Sequence, residues 1–246
     1  MPRVFRLCAL LPALLPALLL PALLPWAAAA AEFTPAQRAE IVEIVRQALK
    51  QDPSILHDAL AAMQTGDARA AIDAVRGKLV TPADPEVGNP KGDVTIVEFF
   101  DTRCPYCRAM EPEMEKFVAD HHNVRLVYKD LPILGAASVL GSKALLGAMQ
   151  QGDYAKMRDA VMQLPPDTTP AMIQATAQKL GLNWDRLSHD MDSPVVQQQI
   201  ADNIKLAHEL GIDGTPAMVV GNTLIQGAVD PSDLQQAVTQ AEKDKR

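Results

Sequence analysis

A Cys-x-x-Cys pair at the end of an apolar run is the feature that most constrains this chain. The run Val94–Phe100 is rich in β-branched and aromatic residues and is apolar at both alternating positions. We therefore expect a central strand that is covered on both faces. Pro105 follows Cys104, and proline suits the first position of a helix because its missing N–H would have no partner there. The sequence predicts a strand, a turn and a helix, with Cys104 at the helix N-terminus and Cys107 one turn further in.

This placement favours redox chemistry at the pair. Unpaired N–H groups and the positive end of the helix dipole favour a thiolate at Cys104. We expect Cys104 to be the exposed, reactive thiol and Cys107 the shielded one, able to close a disulfide with it. A zinc half-site is an alternative, but structural zinc usually has four ligands and the chain has no second Cys pair. His121 and His122 are the remaining candidate ligands, and an inert structural disulfide is the third interpretation.

Residues 1–31 read as a secretory signal peptide. Arg3 and Arg6 precede a Leu/Ala/Pro run that ends in small residues, and we expect cleavage near Ala31. A transmembrane helix is disfavoured because prolines interrupt the run. Cleavage would remove Cys8 and leave a single Cys-x-x-Cys pair in an exported protein. Such a protein exchanges disulfides rather than using them as a scaffold.

Size and charge limit the number of domains and the kinds of partner that the chain can have. The chain has 246 residues, 48% of them hydrophobic, which suits one domain of ordinary size with an appendage. Its formal charge of −7 becomes −7 − 2 = −9 when the two arginines of the signal peptide are removed. An acidic surface of this kind argues against nucleic-acid binding.

Residues 32–80 read as an arm of three short amphipathic helices, which begin near Thr34, Asp52 and Asp67. Short helices are not stable alone, since most helical stability comes from burying an apolar face. These faces pack either on the catalytic domain or on copies of themselves, and we interpret the segment as an oligomerisation arm. Residues 81–93 are rich in Pro and Gly and read as a linker.

The rest of the chain has an α/β order with a mixed sheet. A second strand is predicted at 124–129, and no strand signal occurs across 136–210, where several helical stretches follow one another. Ala217–Val220 and Thr223–Gln226 form a predicted hairpin around Gly221-Asn222, and a last helix covers 232–242.

These motifs together resemble the DsbA-like branch of the thioredoxin superfamily over residues 84–246. The resemblance rests on the sequences at 97–101, 104–107, 128–135 and 214–217 and on the helical insert. It implies a thioredoxin-like mixed sheet in a domain covering 94–246, with a helical insertion at about 136–210. The N-terminal arm is similar to that of the ScsC-type proteins in this branch, some of which trimerise through it and isomerise disulfides.

The resemblance also implies a site. Cys104 would be the attacking thiol and Cys107 the resolving one. Thr215-Pro216 would be a loop whose cis peptide lies against them; an X-Pro bond is cis at modest cost, and an ordinary trans turn is the alternative. The residues that would contact substrate are Thr215, Pro216, Pro105 and Tyr106.

Glu98 is the least expected residue in the central strand. A buried carboxylate costs free energy unless it is protonated or partnered, and a raised pKa would let it accept a proton from Cys107. The family has an acid at the matching place. The alternative is a structural ion pair with a basic residue such as Lys129. Asp101, nearer the strand end, is expected to be exposed.

The predicted function is periplasmic thiol-disulfide exchange on exported proteins, without a metal or an organic cofactor. A membrane redox partner would set the direction: an oxidant would make the protein an oxidase, and a reductant would make it an isomerase or reductase. Tyr106 and Thr215 favour isomerase, because the strongly oxidising members of the family have His and Val at these places. A homo-oligomer, with a trimer favoured, would form through residues 32–80.

Two other functions remain open from the sequence. Cys104 and Cys107 are soft ligands that suit Cu(I), as in a copper-tolerance protein without redox catalysis; the ten methionines are scattered and form no Met-x-x-Met cluster. A holdase-like chaperone that uses the helical arm is the second, and only the apolar stripes support it.

Overall fold

The computed structural model describes residues 33–245. The predicted signal peptide at 1–31 and its cleavage site lie outside these residues. The described residues divide into two compact units, 33–53 and 54–245. In the part of the chain that the structure describes, no helix is both long enough and apolar enough to cross a bilayer.

From Val94 onward the elements follow the predicted α/β order: strand, helix, strand, a run of helices, a hairpin and a last helix. The strands are β1 (Glu86–Gly88), β2 (Val94–Phe100), β3 (Val124–Asp130), β4 (Ala217–Val220) and β5 (Thr223–Gln226). The helices are α1 (Pro35–Gln51), α2 (Ser54–Leu79), α3 (Pro105–Asp120), α4 (Ala136–Met149), α5 (Tyr154–Met162), α6 (Pro170–Lys179), α7 (Trp184–Met191), α8 (Pro194–Glu209) and α9 (Pro231–Asp244).

The strands form one mixed sheet in the order β1-β3-β2-β4-β5. β2 pairs parallel with β3 and antiparallel with β4, so the strand that leads to the Cys-x-x-Cys pair is central. The two outer pairs, β1 with β3 and β4 with β5, are antiparallel. The predicted fold class, a thioredoxin-like mixed sheet with a helical insertion and a helical N-terminal region, is confirmed.

Each face of the sheet carries its own hydrophobic core. Ile96 and Phe100 of β2 point to the face that also contains Cys104 and Cys107 and the apolar sides of α3 to α7 and α9. Val97 and Phe99 point to the opposite face, which α2 and α8 cover. The continuous apolar pattern of β2 follows from this burial on both sides, as predicted.

The N-terminal region contains two helices where the sequence predicts three. The second and third predicted helices are one helix, α2, which runs through Thr65-Gly66 without a break. Glycine inside a helix costs only about 1 kcal/mol, and the end of α2 buries Ile72, Val75 and Leu79 against the sheet. The free energy gained by burying these side chains outweighs the cost of the glycine, so the helix does not end at Gly66.

The predicted linker also differs from the structure. Within 81–93, Glu86–Gly88 forms β1 and pairs with β3 at the edge of the sheet. A strand of three residues with one apolar side chain, Val87, is too short to produce a periodic signal. The second compact unit therefore begins at Ser54, before the predicted linker, and includes α2 and β1.

Candidate active site

The end of β2 and the start of α3 place the two cysteines. Cys104 is the N-cap residue of α3 and Pro105 is at the first position, as the sequence predicts. The turn is closed by a hydrogen bond from the Cys104 N–H to the Asp101 carbonyl, at 3.0 Å, and the Arg108 N–H donates to the Cys104 carbonyl at 3.1 Å. Both cysteines are free thiols.

The loop before β4 lies against Cys104. The Thr215-Pro216 peptide is cis, in agreement with the resemblance. The Cys104 thiol donates a hydrogen bond to the Thr215 carbonyl, with an Sγ–O distance of 3.1 Å. Cys104 is consequently 3% exposed, so the expectation of an exposed thiol is wrong for this conformation. The cause is the contact with the loop, which lies 111 residues further along the chain.

Cys107 is shielded, as expected, with 1% exposure. Burial raises the pKa of its thiol, a hydrogen bond with the Asp101 backbone lowers it, and the charges of Cys104 and Glu98 raise it further. Cys107 therefore needs a base to become a nucleophile, and the interaction with Glu98 identifies a neighbouring carboxylate.

Glu98 lies in the middle of β2, on the face that contains the cysteines, and is 1% exposed. Burial raises its pKa to about 7; the Arg158 charge lowers it and the Glu111 charge raises it. Among the described residues, its Oε2 atom has no hydrogen-bond partner. A carboxyl with this pKa exchanges a proton near neutral pH.

The alternative ion pair between Glu98 and Lys129 does not form. Lys129 points to the other face of the sheet, where its Nζ lies 2.6 Å from Asp84 Oδ2, and both side chains are 3% exposed. Alternate residues of a strand face opposite sides, and Glu98 is paired in register with Tyr128. The neighbouring Lys129 therefore points away from it.

Asp101 is fully buried, which corrects the expectation that it is exposed. One carboxylate oxygen accepts from the Arg103 N–H at 2.8 Å, and the other accepts from the N–H groups of Ile133 and Leu134 at 2.9 and 3.0 Å. Asp101 thus fixes the active-site turn and the loop after β3 to each other. An Asp before a tight turn is a local signal for the first contact, but no local signal indicates the other two.

An exposed surface surrounds the cysteines. Pro105 is exposed and Tyr106 is 66% exposed, directly after Cys104 in the chain. Ile133 and Leu134, on the loop that Asp101 holds, are 42% and 43% exposed, and Arg103 donates to the Leu134 carbonyl. The sequence did not single out these two apolar residues, because only the fold brings their loop to the dithiol.

Three carboxylates form a separate group on α3 and α5. Ligand oxygens of Glu111, Glu115 and Asp159 lie within 4.8 Å of one another. The group contains neither cysteine, and its oxygen donors differ from the soft sulfur donors that Cu(I) prefers. Glu111 already forms a bidentate ion pair with Arg158.

Comparisons with known proteins agree with this geometry. The family model described as thioredoxin matches residues 80–240. The crystal structure of a thioredoxin-like oxidoreductase from Silicibacter pomeroyi is 43% identical, with a TM-score of 0.64 over 66% of this chain and 94% of that chain. A linker-deletion mutant of Proteus mirabilis ScsC is 26% identical, with a TM-score of 0.68 over 87% of this chain and 99% of that chain.

The chain spans only part of the length of some curated relatives that it matches. The Na(+)/H(+) antiporter NhaA 3 of Salinispora tropica is 29% identical over 182 residues, which is 71% of this chain. The match spans 28% of the antiporter's length.

Proposed function

The chain belongs to the thioredoxin family, and from that premise we propose that it is an exported disulfide isomerase or reductase that acts through Cys104 and Cys107. Similarity to the thiol:disulfide interchange protein DsbA of Bordetella pertussis, 26% identical over 150 residues, supports thiol-disulfide exchange as the activity. The observation that carries the proposal is the 3.1 Å contact between Cys104 Sγ and the carbonyl of Thr215, beside the cis peptide. This contact puts the reactive sulfur next to the backbone of Thr215, a residue proposed to contact the substrate.

The reaction begins at Cys104. Its thiolate attacks one sulfur of a substrate disulfide, a Cys104–substrate bond forms, and the other substrate sulfur leaves as a thiolate and takes a proton from water. Cys104 stands at the N-terminus of α3. Pro105, Tyr106, Thr215 and Pro216 are the residues proposed to contact the substrate.

The second step belongs to Cys107 and Glu98. The Glu98 carboxylate accepts the Cys107 proton, and the Cys107 thiolate attacks Cys104 Sγ. The Cys104–Cys107 disulfide forms, the substrate leaves as a thiol, and the dithiol has lost two electrons to the substrate. In isomerisation a second substrate thiol attacks instead, and the protein returns to its reduced form.

We propose the isomerase direction on two grounds. Tyr106 and Thr215 stand where the strongly oxidising members of the family have other residues. The N-terminal helices also present unpaired apolar side chains, which suit a second copy of the chain. None of the α1 residues, all of them described, is buried. The exposed apolar residues in α1 and the first half of α2 are Ile41, Val42, Ile44, Val45, Leu49, Ile55, Leu56, Leu60 and Met63.

The location and partners follow from the same proposal. The signal peptide expected at 1–31 would deliver the protein to the periplasm, where exported proteins carry disulfides. A membrane reductant would keep the dithiol reduced. The resemblance to ScsC-type proteins favours a trimer as the assembled state.

The test compares two activities of the mature protein under defined glutathione. We expect reactivation of scrambled ribonuclease to exceed the rate at which reduced ribonuclease is oxidised. Cys104→Ser should abolish both activities and insulin reduction, whereas Cys107→Ser should accumulate mixed disulfides. Efficient oxidation with no reactivation would make the protein an oxidase. Cu(I) binding with no exchange activity would refute the enzymatic proposal.

A prediction for Glu98 separates its two possible roles. Glu98→Gln keeps the shape of the side chain but cannot accept the Cys107 proton, so resolution of the mixed disulfide should slow by about 10²-fold. The attack by Cys104 should change little. Rapid acid quenching during oxidation by glutathione disulfide, followed by mass spectrometry, measures both steps. Loss of folding stability with both rates intact would show a structural role only.

A further inference from the structure

A buried arginine lies behind the dithiol and has no part in the exchange steps. Arg158, on α5 of the helical insertion, is 1% exposed. Its guanidinium carbon lies 4.7 Å from the centroid of the Phe100 ring and 4.0 Å from that of the Tyr128 ring. Two aromatic faces therefore replace water around the cation, which strengthens its electrostatic effect on nearby groups.

Arg158 is tied to the helix that carries the cysteines. Its two terminal nitrogens each bind one carboxylate oxygen of Glu111, in a bidentate ion pair. Glu111 is 7% exposed and follows Cys107 by four residues, one turn along α3. The ion pair thus brings one positive and one negative charge from two helices to the inner side of the active site.

Glu98 faces this pair across the core. It is opposite Tyr128 in the β2–β3 register, and Tyr128 carries the Arg158 cation on its ring. The ionisable groups around Glu98 are Cys107 and Glu111 on α3, Tyr128 on β3 and Arg158 on α5. Its β4 neighbour is Met218, which carries no charge. The Arg158 charge stabilises ionised Glu98, and the Glu111 charge opposes it.

We propose that Arg158 and Glu111 are positioning residues that set the charge state of Glu98, and with it the pH range over which Cys107 resolves the mixed disulfide. The inference rests on the proposed function, in which Glu98 is the base for Cys107. In this arrangement the helical insertion contributes to catalysis through a charge, without touching the substrate. Removing either partner should move the pH profile of resolution, and the two partners should move it in opposite directions.

The experiment measures the unimolecular resolution step of the full-length mature protein between pH 5 and 9. Glutathione disulfide is the oxidant, and acid quenching with mass spectrometry follows the mixed disulfide. In the unsubstituted protein the rate should rise through about pH 7, as Glu98 loses its proton. Arg158→Met should move the rise to higher pH and slow resolution about tenfold at pH 6, since a nearby opposite charge changes a pKa by a unit or more.

Glu111→Gln should have the reverse effect, because it removes a negative charge and keeps the arginine. Its profile should move to lower pH and resolution should become several-fold faster at pH 6. Arg158→Met with Glu111→Gln leaves no buried charge of the pair unmatched and should fall between the two single variants. If Arg158→Met alone does not fold, the double variant compared with Glu111→Gln isolates the arginine charge.

Lys156→Met is the matched control, because Lys156 is a 68% exposed cation on the same helix. It should leave the profile unchanged. Shifts of the two single variants in the same direction, or no shift while Glu98→Gln removes the pH step, would refute the role of the pair and leave the proposed function intact. A pH step that survives in Glu98→Gln would also refute the role of the Arg158–Glu111 pair. Failure of the unsubstituted protein to react with any disulfide would instead refute the proposed function.

Discussion

Asp130, at the end of β3, is fully buried, as Glu98 and Asp101 are. Burial raises its pKa to about 7, although a hydrogen bond from the Tyr154 hydroxyl, at 2.8 Å, and the Arg158 charge lower it. The folded protein holds this proton to about pH 7, whereas an unfolded chain loses it near 3.8, the ordinary pKa of an aspartate. The stability that the neutral form contributes is therefore complete below pH 3.8 and is lost as the pH rises through 7.

Asp130→Asn should remove this loss. The amide can still accept from Tyr154 and carries no charge at any pH, so the stability of the variant relative to the unsubstituted protein should rise by about 4 kcal/mol between pH 4 and pH 8. Urea denaturation at the two pH values measures the difference. Asp213→Asn, at an exposed aspartate, is the control, and an equal pH effect in both variants would contradict the assignment to Asp130.

The two thiols should differ in reactivity. Burial raises the pKa of Cys107, whereas Cys104 is the N-cap residue of α3. Iodoacetamide at mildly acidic pH should label Cys104 alone in the reduced protein, as peptide mapping by mass spectrometry would show. Cys107→Ser should keep the label and Cys104→Ser should lose it. Preferential labelling of Cys107 would overturn the assignment of nucleophile and resolving thiol.

At this scale the sequence predicts the residues whose chemistry is local. Cys104, Cys107 and Pro105 are adjacent, and a carboxylate in a central strand is unusual by itself. The burial of Asp101 and the role of Arg158 could not be predicted, because their partners lie far along the chain. Asp101 binds the 133–134 backbone, and Arg158 reaches Glu111 across 47 residues.

Among the secondary-structure elements, β3 is fixed to the segment after α2 by a buried ion pair. Besides Lys129, the Asp84 carboxylate accepts from the Thr81 N–H at 2.7 Å and the Thr81 hydroxyl at 3.1 Å. Lys129→Met would leave this carboxylate buried without its cation and should destabilise the fold by about 3–5 kcal/mol. Chemical denaturation measures the effect.

A double substitution tests the cause. Lys129→Met with Asp84→Asn removes both charges while the amide oxygen can still accept from Thr81, so most of the lost stability should return. Lys116→Met removes an exposed cation whose partner is Asp120 and should have no measurable effect. Equal destabilisation in the single and double variants would show that packing of the lysine stem, and not the charge pair, is what matters.

Long, strongly patterned elements were predictable from the sequence. β2, β4 and β5 have the predicted bounds, because apolar runs between Gly and Pro signals leave little choice of strand. β1 was not predicted, because a three-residue edge strand is too short to show an alternation of apolar and polar residues. The continuity of α2 was missed because the sheet face that stabilises its second half is built from residues beyond position 96.

At the scale of the whole molecule, the structure indicates a different end point for a deletion of the N-terminal arm. Ile72, Val75 and Leu79 of α2 belong to the core on the sheet face of Phe99, so the predicted domain boundary near residue 80 would remove a part of the catalytic unit. Deleting 32–65 should give a folded monomer that still reduces insulin but largely loses isomerase activity. Deleting 32–78 should destabilise the fold, because it exposes that face.

Sedimentation, thermal denaturation and ribonuclease reactivation distinguish these outcomes. The proposed self-association fails if the intact mature protein sediments as a monomer. The link between the arm and isomerisation fails if the shorter deletion reactivates scrambled ribonuclease at full rate.

Because α2 is unbroken, it fixes the distance and the rotation between its exposed apolar residues and the sheet. The exposed apolar residues of α2 begin at Ile55, and its buried residues begin at Ile72. These two positions are about 26 Å apart along the helix axis, at the rise of an α-helix. Because one helix carries both, the apolar stripe has a fixed rotational phase relative to the sheet. One alanine inserted after Gly66 would turn the stripe by about 100° about the helix axis. Copies of the chain could still join through it, but their dithiols would face a different direction.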